Sequence, residues 1–327
     1  MNITDNRLIK CDTIKIKANL RYLIEKHVPF NTEYATDGTL TGEYYSSRND
    51  DNIPFNVYVA ASYTKQTLTL EFSSKILYAN YAELISKKTI RQCLENLNGL
   101  GVCKIDIDGI LNTGCVTKAD ITRDIPMELT NEILSALNDN VGMYRRYKWK
   151  HYRNTGIEFS RNVKDRRSKE SLKIYDKSVE LTSNSESRKF LSMLDDMESI
   201  EDYFSGTTRF EITLNTNDKI REFLNIQDTY IADFFNADAN PILTMFDKIF
   251  TIKPTGIDGV GSSYNDWAML IILDHFHGDL QQIEQRVRNL YSDRKGAYSR
   301  MKQFERLKVN TNNRPRDIVS EVRRRLM

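Results

Sequence analysis

Three short stretches constrain the fold of this chain most: VTKADIT (residues 116–122), SLKIYDK (171–177) and TRFEITL (208–214). In each, apolar and polar side chains alternate with period two, the pattern of a strand with one face on a core and the other turned away from it. Ala119 and Ile121 oppose Lys118, Asp120 and Thr122. Leu172 and Ile174 oppose Lys173, Tyr175 and Lys177, and Phe210, Ile212 and Leu214 oppose Arg209, Glu211 and Thr213. Parallel sheets are buried on both faces and read as continuous apolar runs, so alternation points to an antiparallel sheet backed by helices on one side. The opposite side then collects carboxylates, lysines and a tyrosine.

The surrounding sequence extends this reading. TIKIK (13–17), FNVYVAA (55–61), TLTLEF (67–72), VCKIDI (102–107) and 156–161 read as further strands, the last forming a hairpin with 171–177 around the loop NVKDRRSKE. Helical stripes run over 81–97, 127–137, 187–197 and from 218, and after about residue 225 helical periodicity replaces strand alternation. The fold class is therefore α+β, a largely antiparallel sheet backed by helices, with a helical C-terminal region. The expected division is an α+β domain over 1–225 and a basic helical region over 226–327, with the Gly/Pro/Ser cluster KPTGIDGVGSS (253–263) as a loop or linker.

Composition narrows the function classes. The longest apolar run, AMLIIL at 268–273, is far short of the roughly 20 residues that span a bilayer, and the N-terminus carries no apolar signal core. Cys11, Cys93, Cys103 and Cys115 form no CxxC pair, so reduced, mostly buried thiols in a cytoplasm are expected rather than a zinc site or disulfides. The formal net charge is only +2, but its distribution is uneven: 144–177 holds twelve Lys/Arg against four acids, and 286–327 holds thirteen against four. Two basic segments in a near-neutral chain suggest a polyanion bound on defined faces.

On the polar face, Asp120, Glu211 and, after the strand, Asp124 are hard oxygen ligands suited to Mg²⁺ or Mn²⁺. A tyrosine beside such ligands can attack a phosphodiester and store the bond as phosphotyrosine. A free phenol has a pKa near 10, so Tyr175 needs help from Lys173, Lys177 or a metal. Alternation alone also fits a half-buried strand tyrosine, and carboxylates paired across strands with lysines such as Lys118.

Order and spacing add a resemblance. VTKADITRD, then a basic hairpin into LKIYDKSVE, then RFEITL, resembles the replication initiators of rolling-circle elements, especially the gene II/X replication proteins of filamentous phages and related plasmid initiators. That family has an R-x-D strand, a Y-x-K-x-x-E element and an R-x-E strand. Here Lys118 stands at the first arginine position and Ser178 where the phage proteins commonly have glycine. The resemblance covers about 115–225. It implies an enzyme that nicks one DNA strand at an origin, with Tyr175 as nucleophile forming a 5′-phosphotyrosine and leaving a free 3′-OH. It further implies Lys177 at the scissile phosphate or phenolate, Glu180 orienting a neighbour, and Asp120, Glu211 and Asp124 holding Mg²⁺ or Mn²⁺. Expected DNA contacts are Arg161, Lys164, Arg166, Arg167, Lys169 and Lys173 near the hairpin and Arg294, Lys295 and Arg300 in the tail. The implied partners are origin DNA, single-stranded or cruciform with a duplex recognition site, and the host replication machinery in a bacterial cytoplasm, without a membrane. The oligomeric state stays open, a dimer included.

Other signals compete. IDID (105–108) places Asp106 and Asp108 on one face if it is a strand, which keeps a primase-like nucleotidyl transferase in play. A non-catalytic DNA- or RNA-binding module, stacking bases on sheet tyrosines, is the other alternative. His275-Phe276-His277 matches a His-hydrophobic-His metal pattern but ends a helical run a hundred residues after Tyr175, so structural histidines are expected. From Leu280 onward the pattern fits a helix-turn-helix with a basic face for duplex phosphates.

Overall fold

The structure, a computed structural model, describes residues 8–142, 147–152, 155–164, 170–250, 263–276, 278–291, 293–312 and 318–327. The chain divides into two units, one of Met1–Phe250 with Arg325–Met327 and one of Thr251–Arg324. Among the described residues no helix is long and apolar enough to cross a membrane.

The first unit runs through β1 (Cys11–Asn19), β2 (Leu23–Lys26), β3 (Asn31–Tyr34), β4 (Leu40–Ser46), β5 (Val57–Ser62) and β6 (Thr67–Ser73). Next come α1 (Ile90–Gly99), β7 (Cys103–Ile105), α2 (Ile107–Thr113), β8 (Cys115–Pro126), α3 (Asn131–Asp139), β9 (Tyr147–His151), β10 (Gly156–Arg161) and β11 (Ser171–Asp176). The unit closes with α4 (Lys177–Ser183), α5 (Ser185–Leu191), α6 (Met197–Phe204), β12 (Thr207–Leu214), α7 (Asn217–Leu224), α8 (Ile231–Asn236) and α9 (Pro241–Ile249). Among the described residues ten strands form one sheet in the order β3-β4-β5-β6-β1-β8-β12-β11-β10-β9, and every pairing is antiparallel. The α+β class follows directly.

One face of this sheet is continuous core: Ile14, Ile16, Val57, Leu70, Ala119, Ile121, Ile174, Phe210 and Ile212 are all buried. Helices α7 and α9 pack on β8 and β12, α8 on β8 and α2 on β1. The ring of Phe250, just beyond α9, meets Phe159 of β10 edge-on at 5.0 Å. Burying each such side chain is worth roughly 1.5–3 kcal/mol, and a one-residue slip would turn the set to the wrong face, so register follows from this side. A bulge protects it: Lys15 pairs with Lys118 but Ile16 with Val116, and the extra Thr117 lets Val116 and Ala119 both reach the core.

Several boundaries differ from expectation, each through local hydrogen bonding. The strand at 171–177 stops at Asp176, whose carboxylate accepts from Val179 N at 3.0 Å and caps α4, so Lys177 begins a helix. The stripe at 81–97 divides because Thr89 Oγ1 accepts from Ser86 N and donates to Leu84 O, and α1 starts only at Ile90. The stripe at 187–197 splits where Asp196 caps α6. IDID is no strand face: β7 ends at Ile105, Asp106 caps α2, and exposed Asp108 pairs with Arg91 at 2.7 Å. That removes the basis of the primase-like reading.

The second unit contains α10 (Tyr264–His275), α11 (Leu280–Leu290), α12 (Arg294–Asn312) and most of α13 (Ile318–Leu326). Met269, Leu270 and Leu273 of α10, Ile283 and Val287 of α11, and Met301, Phe304 and Leu307 of α12 share one core. His275 ends α10, exposed and edge-on to Phe276, and is on no sheet strand; His277 lies outside the described residues. Of the cysteines, Cys11, Cys93 and Cys103 are buried and all four are free.

Candidate active site on the polar sheet face

The second face of β1, β8, β12 and β11 carries the polar residues, and the register arranges them in rows. Tyr175 stands opposite Arg209, which stands opposite Asp124. In the next row Lys173 faces Glu211, which faces Thr122, and in the third Ser171 faces Thr213, which faces Asp120. Glu211 is therefore central, directly beside Lys173 and diagonal to both Tyr175 and Asp120. Tyr175 Oη donates to Glu211 Oε2 at 3.2 Å, and Lys173 Nζ donates to Glu211 Oε1 at 2.5 Å. Burial, followed by the charge of Glu211, pushes the Tyr175 phenol well above its ordinary pKa, with Arg209 opposing the shift. At rest the phenol keeps its proton.

The first row ends in a buried charge cluster. Arg209, 0% exposed, holds both oxygens of Asp124 through Nε and Nη2 at 2.6 and 2.7 Å, and its Nη1 reaches Asp12 Oδ1 at 3.0 Å. Asp12 also accepts from Ser74 Oγ at 2.8 Å. Burial alone would raise its pKa, but Arg209 and Lys177 hold it at about 2. The Arg209 guanidinium lies 5.2 Å from the Phe204 ring centroid and 5.8 Å from that of Tyr81. Lys177, 3% exposed, pairs with Glu180 at 2.5 Å, with its ammonium 5.5 Å from the Tyr81 ring and 5.8 Å from the Tyr175 ring. Glu180 in turn accepts from Ser187 Oγ at 2.8 Å. The side expected to be wet is thus roofed at this end by aromatic residues before and after the strands.

Asp120 is different. Its Oδ1 is buried and has no hydrogen-bond partner among the described residues. Burial first, then the nearby charge of Glu211, push its pKa up to about 6 against the pull of Lys118 and Lys173. A buried carboxylate oxygen left over beside a second carboxylate is the donor set that a hard divalent cation requires, since Mg²⁺ commonly takes one or two carboxylates and completes its shell with water and phosphate oxygens. Asp120 could offer that oxygen to such an ion, with Glu211, whose two oxygens accept from Lys173 and Tyr175, as its neighbour. Asp124, which lies inside β8 rather than after it, is engaged on Arg209, and among the described residues no group of three or more His, Cys, Asp or Glu side chains could hold a metal.

A cleft of about 570 Å³ opens beside the tyrosine, lined by Tyr175, Lys173, Lys177, Asp12, Lys75 and Tyr152 among others. Gly156 faces Tyr175 across the β10–β11 pair, and a Cβ there would sit 2.7 Å from Tyr175 Cβ and 2.8 Å from Ile174 O. Only glycine leaves the tyrosine its place. Tyr152 donates to Glu158 from the same cleft. Of these, Gly156 could have been found from the hairpin's pairing, whereas Tyr152 lies before that hairpin. Asp12, a lone acid in CDTIKIK, gave no signal.

Among the expected DNA contacts, Arg161 ends β10 and Lys164 is exposed beyond it, while Lys173 is held by Glu211. Arg166, Arg167 and Lys169 lie outside the described residues. Arg294, Lys295 and Arg300 lie in the first turns of α12, Lys295 exposed and Arg300 hydrogen-bonded to Tyr291 Oη and Gln303 Oε1, both at 3.0 Å.

Residues 87–233 match the family model of the N-terminal part of the gene II replication-associated protein, a replication initiator of filamentous phages. The match encloses β8, β11 and β12, and it implies a replication-associated initiator that acts on DNA. No curated protein matches the chain.

Proposed function

We propose, from the match of residues 87–233 to that initiator family, that this protein nicks one strand of origin DNA and holds the 5′ end covalently on Tyr175. The observation that carries this reading is the line Tyr175–Glu211–Asp120: a phenol donating to a carboxylate that neighbours a second, incompletely bonded one.

In the reaction, Tyr175 Oη attacks the scissile phosphorus while its proton passes to Glu211, the group it already touches. The P–O3′ bond breaks, that proton reaches the departing 3′ oxygen through water to give the 3′-OH, and a phosphotyrosine replaces the diester. One bond of similar energy replaces another, so no nucleotide cofactor is needed and a 3′-OH can reverse the step to rejoin the strand. A divalent cation held by Asp120 and Glu211, Mg²⁺ or Mn²⁺, would neutralise charge on the phosphate. Lys177 stays fixed between Glu180 and the two rings, placing a positive charge beside the developing phenolate. The basic hairpin edge would carry the DNA backbone, and α11–α12 with Lys295 a duplex recognition site.

Labelled single-stranded oligonucleotides tiled across the DNA that carries its gene, incubated with Mg²⁺ or Mn²⁺, should give a covalent protein–DNA band on a denaturing gel. Tyr175→Phe should reduce it at least roughly a thousandfold while retaining binding. An undiminished band would overturn the assignment.

A further inference from the structure

The polar face does not end at Asp120. Along β8 the next residue on that side is Lys118, opposite Lys15 of β1, which is opposite Glu71 of β6, which is opposite Tyr58 of β5. Glu71 accepts from Lys15 at 2.7 Å and from Lys118 at 2.9 Å, fixing two ammonium groups side by side, and Lys17 stands exposed two residues along β1. Lys15 Nζ lies 5.8 Å from the Tyr58 ring centroid, and Tyr58 is stacked with Tyr44 of β4 at 5.9 Å and 29°. Strands β8, β1, β6 and β5 floor an open groove of about 900 Å³, with Asn215 and Asp218 beyond β12 on its rim and the Tyr44–Tyr58 stack at its β5 side.

We infer that this groove is a track for single-stranded DNA leading away from the nicking centre. The inference rests on the function proposed above for the adjoining site, and it assigns binding to β1 and β4–β6, which lie before the matched segment 87–233. Three lysines in line suit a phosphodiester backbone, and tyrosine faces on a sheet suit unpaired bases, each stack being tolerant of sequence. A duplex offers no free base faces to such rings. From β8 to β5 the floor spans three strand spacings, about 14 Å, room for a few nucleotides, and Tyr44 extends the tyrosine surface by one more strand.

The test uses the full chain carrying Tyr175→Phe, so that binding is read without cleavage, and fluorescein-labelled oligo(dT) of 18 nucleotides. Fluorescence anisotropy should show tighter binding to this strand than to a hairpin duplex of similar length. Tyr58→Ala should weaken it roughly tenfold, Tyr58→Phe should restore it, and Lys17→Ala, at an exposed position, should lower the salt slope by about 0.7. Oligonucleotides carrying 5-iododeoxyuridine should crosslink to the peptide containing Tyr58 or to that containing Tyr44. Unchanged affinity in both Tyr58→Ala and Lys17→Ala, a preference for the duplex, or crosslinks confined to other peptides would overturn the track. Failure of the parent protein to form a covalent adduct would count against nicking alone and leave this comparison readable.

Discussion

Two carboxylate clusters share one sheet face and differ in how completely they are bonded. Around Arg209, Asp124 and Asp12 are matched by one guanidinium, a serine hydroxyl and aromatic rings, so each buried charge has a counterpart. One and two rows away, Glu211 and Asp120 lie close enough for the charge of Glu211 to raise the pKa of Asp120, and an oxygen of Asp120 has no partner among the described residues. Buried charges persist when paired, and breaking a pair leaves a costly remainder. The first cluster is therefore read as framework and the second as a site arranged for something to bind.

Breaking the framework should have the largest effect on stability. Arg209→Leu leaves Asp124 and Asp12 buried without their cation and should cost about 3–5 kcal/mol in chemical denaturation; a loss below about 1 kcal/mol would remove the distinction between the clusters. Gly156→Ala, which forces Tyr175 and Ile174 aside through contacts with backbone, should cost about 1–3 kcal/mol and lower adduct formation. Equal activity with unchanged stability would show that the row of Tyr175 and Arg209 tolerates displacement.

Asp120→Asn should act in the opposite direction. The folded pKa of about 6 lies above the ordinary carboxylate value, so the fold retains a proton that the unfolded chain releases. That preference penalises folding progressively as pH rises from about 4 to 6 and fully above it. Removing the charge should therefore stabilise the protein by about 1–2 kcal/mol at pH 7.5 and by little at pH 4. The smallest expected effect is on Tm: Mn²⁺ should raise it by a few degrees at pH 7.5, less at pH 5 where Asp120 is protonated, and not in Asp120→Asn. A Tm rise unaffected by the substitution would place the cation elsewhere.

Much of this face can be read in the sequence because alternation assigns sides without any knowledge of partners. Period two alone places Asp120, Glu211 and Tyr175 on one surface, and the antiparallel class follows from the same pattern. What alternation cannot supply is register. That Asp124 pairs with Arg209, and that Lys173 meets Glu211, depends on which residues stand opposite. The end of β11 is obscured because Asp176 offers a helix cap where side-chain alternation still continues. The roof of Tyr81 and Phe204, and Asp12 of β1 beneath it, come from distant segments whose local patterns are ordinary strand and helix, and the lysine–tyrosine groove needs the pairing of β1, β6 and β5 to become visible.

The central claim is that Tyr175 is the nucleophile, and it is tested most directly by locating the bond. Protein trapped with a single-stranded oligonucleotide and a divalent cation, digested by protease and nuclease, should yield one peptide carrying a nucleotide on Tyr175, read by fragmentation in a mass spectrometer. A nucleotide on Tyr152, Tyr81 or any other side chain, or strand cleavage with no protein-linked nucleotide, would contradict the account.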